Sequence, residues 1–71
     1  MQRFGEKLRL LREANNLTMR QLASELDLKS HGSISNLEQG RSMPSAPLAV
    51  RIADLFNVTI DQLLRDELEV E

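Results

Sequence analysis

The sequence predicts a small all-α domain of five helices, and three observations carry that expectation. Apolar residues recur at helical spacing in five separate stretches. Capping residues open or close most of those stretches. No stretch alternates apolar and polar residues as a strand does, and the chain holds only two aromatics, both Phe. At 71 residues there is room for one domain, 1–71, and one core. A chain of this size buries only about 60% of its unfolded surface, so modest stability is expected.

The elements follow in order. Arg3 to Asn15 reads as the first helix: Phe4, Leu8 and Leu11 stand at i, i+4 and i+7, with Ala14 closing the stripe. Asn15-Asn16 ends it, since Asn tolerates the left-handed backbone. Thr18 and Gln21 have capping-box spacing and open a second helix that ends near Leu26, with Leu22, Ala23 and Leu26 as its apolar stripe. A third begins at Ser30 or Ser33, buries Ile34 and Leu37 and stops at Gly40, a left-handed C-cap. Ser45 caps a fourth helix whose first turn tolerates Pro47. Its expected buried stripe is Leu48, Ile52, Leu55 and Phe56, and Asn57 closes it. Thr59 and Gln62 repeat the capping box for a fifth helix, from which Ile60, Leu63, Leu64 and Leu68 point to the core or to a partner. The acidic end, 65–71, is expected to be solvated and its DELEVE run to fray.

Composition narrows the function. Cysteine is absent, which excludes disulfides and thiolate metal sites, and a single histidine cannot build a metal site alone. No metal or cofactor is expected. No apolar run approaches the ~20 residues of a membrane span, and the first residues lack a signal-peptide apolar core, so a cytoplasmic protein without membrane contact is expected. The net charge of −2 hides an asymmetry: residues 1–41 carry seven Lys/Arg against five Asp/Glu, whereas residues 42–71 carry two against six. One end can therefore face phosphates while the other turns away. No paired carboxylates, nucleophile–base set or glycine-rich phosphate loop stands out, which argues against an enzyme.

The most informative segment is 18–40, two short helices joined by a tight turn. With Ile34 and Leu37 facing inward, the second of these helices presents Ser30, His31, Ser33, Ser35, Asn36 and Gln39 outward. Short hydroxyl, amide and imidazole groups on a protruding helix suit the floor of a DNA major groove. Asn36 is the leading base reader, because an asparagine can bond adenine through two hydrogen bonds. Ser35 can reach a base or a phosphate, Ser33 can cap the helix or touch a phosphate, and His31 can donate to a phosphate or a guanine. Gly32 removes bulk, which permits close approach of another backbone or relaxes the turn. Arg20, in the first turn of the second helix, and Arg41, just past Gly40, are candidate phosphate contacts.

These pieces together resemble a lambda-repressor/Cro-type helix-turn-helix domain, the XRE family. The matching runs are LREANNLTMRQLASEL, ISNLEQGRSMPS and RIADLFNVTIDQLL, in that order and at near-family spacing, from about Phe4 to Leu64. The resemblance implies a lambda-repressor-like fold and a sequence-specific transcriptional regulator, acting on double-stranded DNA as a homodimer at a near-palindromic operator. It also implies that Arg12 and Glu38 pair between the first helix and the recognition helix. Three departures stand out. Asp27 replaces the usual turn glycine, one extra residue lies in LKSHGS before Ile34, and Met19 replaces a glutamine that touches the DNA backbone. Leu64, Leu68 and Val70 are the expected dimer surface. The alternative function is a protein-interaction module of the same fold, antitoxin-like, that binds a protein partner through its C-terminal helix.

Overall fold

The computed structural model describes residues 2–70; Met1 and Glu71, the last of the acidic end, lie outside the described residues. Five helices follow one another: α1 Phe4–Ala14, α2 Met19–Glu25, α3 His31–Glu38, α4 Ala46–Phe56 and α5 Ile60–Leu64. No strand occurs among the described residues. The class is all-α, as the sequence predicts.

Local chemistry sets most of the boundaries. Both capping boxes form: Thr18 Oγ1 accepts from the Gln21 amide at 3.0 Å while Gln21 Oε1 accepts from the Thr18 amide at 2.7 Å. Thr59 and Gln62 repeat the exchange at 3.0 and 2.8 Å. Ser45 Oγ accepts from the Leu48 amide at 3.2 Å at the head of α4. Left-handed backbone falls at Asn16, Asp27, Asn57 and Gly40. Asp27 thus takes, at φ 58°, the turn conformation that a short polar side chain tolerates.

The core is built from Phe4, Leu8 and Leu11 of α1, Leu22, Ala23 and Leu26 from the α2 region, Ile34 and Leu37 of α3, Ile52 and Ala53 of α4, and Leu63 of α5. Helix α3 packs against both α1 and α2, and α5 packs against α4 and α1. The α4 stripe is rotated from the expected one. Ala49, Ile52 and Ala53 are buried, Leu48 and Phe56 are half-buried, and Leu55 faces solvent. Small Ala49 and Ala53 let the α4 backbone approach the core, which turns Leu55 outward. Ile60 is also exposed, while Leu63 alone of α5 is fully buried.

The C-terminal segment departs most from expectation. It is strapped to α1 rather than frayed. The Asp66 carboxylate accepts from the main-chain amides of Gln2 and Arg3 at 3.1 and 2.9 Å. The Arg3 guanidinium grips Glu69 through both nitrogens at 2.9 Å and reaches the Asp66 carbonyl at 2.9 Å. Gln62 Nε2 donates to the Glu69 carbonyl at 3.2 Å. Lys7 is fully buried, with Nζ 2.6 Å from the carbonyls of both Gln62 and Arg65. Its charge there satisfies carbonyls at the end of α5 that the helix itself leaves open. Val70 then enters the core, 8% exposed. No described helix is long and apolar enough to cross a membrane.

Candidate nucleic-acid interface

Helix α3 begins at His31, so the earlier of the two expected starts is the one adopted. Ser30 occupies the N-cap position without a side-chain capping bond. Ser33 lies inside the first turn, its amide donating to the Ser30 carbonyl at 3.2 Å, and is not the cap. Ile34, Leu37 and Glu38 face inward. At 3.6 residues per turn, Gly32, Asn36 and Gln39 fall on the opposite side. Ser30, His31 and Asn36 are exposed; Gly32, Ser33 and Ser35 are half-buried. Gln39 Nε2 donates to Ser35 Oγ at 3.0 Å, which ties two outward polar groups into one unit. At the far end Gly40 takes φ 77°, and the amides of Arg41 and Ser42 turn back onto the Asn36 carbonyl at 2.9 and 3.3 Å. This brings Arg41 close behind the helix.

A buried carboxylate ties α3 to α1. The Glu38 side chain is wholly buried. It accepts from Arg12 Nε at 2.7 Å and Arg12 Nη2 at 3.2 Å, and Arg9 Nε stands 3.4 Å away. Arg12 also donates to the Leu17 carbonyl at 3.0 Å, so one guanidinium ties α1, the α1–α2 connection and α3 together. Its hydrogen bonds to Glu38 raise the Arg12 pKa above its ordinary value. Beside this pair the backbones touch: a Cβ on Gly5 would stand 2.7 Å from the Leu37 carbonyl oxygen and closer still to that of Glu38. Nothing larger than hydrogen fits there. The sequence reading did not single out Gly5, because the contact joins residues more than thirty apart.

The basic side chains divide into two groups. Six are engaged within the fold: Arg3, Lys7, Arg9, Arg12 and Arg65 as ion pairs or carbonyl ligands, and Arg51, whose Nη1 donates to the Leu26 carbonyl at 3.1 Å. Arg20, Lys29 and Arg41 are exposed and their side chains have no hydrogen-bond or ion-pair partner among the described residues. Arg20 lies in the first turn of α2, Lys29 in the α2–α3 connection and Arg41 just past α3. Sequence reasoning singled out Arg20 and Arg41 among these cations but passed over Lys29. Lys29 lies in the connection between α2 and α3, where no periodicity fixes a side chain's direction. Met19 is half-buried against the core, so it packs where a polar residue would point outward. Of the three residues expected at a dimer surface, Leu68 is exposed, Leu64 is half-buried against the core, and Val70 belongs to the core itself.

Comparisons with known proteins identify the family. A helix-turn-helix family model covers residues 8–63. The chain is 44% identical over 64 residues to the HTH-type transcriptional activator BcrR of Enterococcus faecalis, a match that covers 90% of this chain and 31% of that protein. It is 35% identical over 65 residues to the HTH-type transcriptional repressor RghR of Bacillus subtilis (strain 168), covering 90% and 47%. The chain therefore spans less than half the length of each of these relatives. No solved structure gives a significant match. With the family match running from within α1 into α5 over most of the chain, this protein belongs to the XRE-type helix-turn-helix family.

Proposed function

We propose that this chain is the sequence-specific DNA-binding part of a transcriptional regulator, with α3 seated in the major groove. One observation carries the reading. The three basic side chains without a hydrogen-bond or ion-pair partner among the described residues, Arg20, Lys29 and Arg41, stand in the first turn of α2, in the α2–α3 connection and just past α3, the helix pair whose outward face is short and polar. Cations at such positions fix register on phosphates, while Asn36, assisted by Ser35 and its neighbours Ser30, His31, Gly32 and Ser33, reads base edges. The two relatives are named for opposite effects on transcription. What they share with this chain is the aligned helix-turn-helix segment, so DNA binding is the activity to carry over. A homodimer, formed through Leu68 and the adjoining part of Leu64, places two copies of α3 on half-sites about one helical turn apart.

The partner-binding alternative acts through the acidic C-terminal helix, with the overall acidity and Met19 in its support. Asp66 and Glu69 are engaged by Arg3 and its amide, which weighs against that reading. The test is selection from a random duplex pool, followed by salt titration of the best site. Three phosphate contacts per protomer predict a log–log slope near roughly −5 for a dimer. Absence of any enriched motif would overturn the proposal.

A further inference from the structure

The chain holds three glycines, and the fold accounts for two of them. Gly40 takes a left-handed φ of 77° that ends α3, and Gly5 lies against the backbone of α3, where a Cβ has no room. Gly32 has neither reason. Its φ lies outside the left-handed region, and a Cβ there would meet only Ser30 Oγ, at 3.5 Å, an ordinary contact. It sits in the first turn of a helix, where glycine forgoes the helix-favouring restriction of any other side chain. Nothing within the described residues requires its smallness. It also occupies the outward side of α3, one turn before Asn36 and on the same face.

We infer that Gly32 is the specificity-determining point of closest approach between α3 and DNA, its missing side chain being space taken up by a base edge in the major groove. This rests on the DNA-binding reading above. The absence of a Cβ lets the helix backbone sink toward the groove floor, so that the short side chains of Ser35 and Asn36 reach base edges that a helix held further out would miss. Bulk at position 32 therefore lifts the whole recognition face.

The measurement is a series, Gly32→Ala and Gly32→Leu, read by thermal melting and by titration against both the selected duplex and a random duplex. The inference expects stability and binding to move in opposite senses. Melting temperature holds or rises by a few degrees, because the substituted residues lose less freedom on folding. Affinity for the selected site falls about tenfold or more with Ala and further with Leu. Binding to random duplex, which relies on phosphates, changes little. Unchanged affinity for the selected site in both variants overturns the inference and leaves the DNA reading standing. So does a loss that only follows a fall in melting temperature, or one equal on both duplexes. If the wild-type chain itself selects no duplex, both readings fall together.

Discussion

The main-chain amide of Arg3 donates to the Asp66 carboxylate at 2.9 Å, so α1 is capped by a residue 63 positions further along the chain. An anion at a helix N-terminus is favoured by the open amides and the helix dipole. Here it also joins the two ends of the described fold. The hydrogen bonds from Arg3 and Gln2 hold the Asp66 carboxyl below the usual aspartate range, and Glu69 is lowered by its bond to the Arg3 guanidinium.

A pH dependence follows from those directions. A carboxylate whose folded pKa is depressed contributes stability above its unfolded pKa and loses it as pH falls through the folded one. Asp66→Asn should therefore melt several degrees below wild type near neutral pH. The gap should persist as pH drops into the ordinary aspartate range, about 3.9, and close only below it. Circular-dichroism melts across that interval check this. A gap already closed at pH 5 would contradict the capping role.

Glu38→Ala should be the most damaging single change near the site. It strands the Arg12 guanidinium among buried groups, a type of loss that costs about 3–5 kcal/mol when the partner charge is buried. The low end is expected, because Arg12 keeps the Leu17 carbonyl and a solvent-facing edge. DNA affinity should fall as well, measured well below the melting point, since α3 loses its tie to α1. Glu38→Gln retains an acceptor and the shape, and should be milder on both counts. Melting that is unchanged in Glu38→Ala would remove the pair's structural role.

Self-association is the third prediction. Leu68 is the exposed member of the proposed dimer surface, so Leu68→Glu should weaken dimerisation by roughly tenfold or more while leaving the monomer fold intact. Analytical sedimentation of both forms reads this directly. Monomers in both samples would sink the dimer.

Much of the fold was legible because it is written locally. The capping boxes at Thr18/Gln21 and Thr59/Gln62, the cap at Ser45 and the left-handed ends at Gly40 and Asn57 each need only a few neighbouring residues to be recognised. What escaped the reading is non-local. Arg3 meets Glu69, Lys7 meets Arg65 and Gly5 meets Glu38 across the tertiary fold, and no periodicity announces such meetings. The acidic end illustrates this: as a string it reads as solvated charge, yet Arg3 holds two of its residues and Val70 is buried. The Leu55 error has the same origin, since the apolar stripe of α4 is decided by where Ala49 and Ala53 permit close approach. The exposure of Asn36 and Arg41 was legible from spacing alone. Lys29 gained meaning only when the other basic side chains were seen to be engaged.

The backbone contact at Gly5 also bears on how this chain can change. The pose of α3 is fixed from behind, by main-chain atoms of α1 and by a sequestered carboxylate, none of which shares the outward face. Residues 32, 35, 36 and 39 can therefore be exchanged without disturbing the support that aims them. On the DNA-binding proposal, changes of preference are confined to that outward face while the frame stays constant, and position 5 is where such drift must stop.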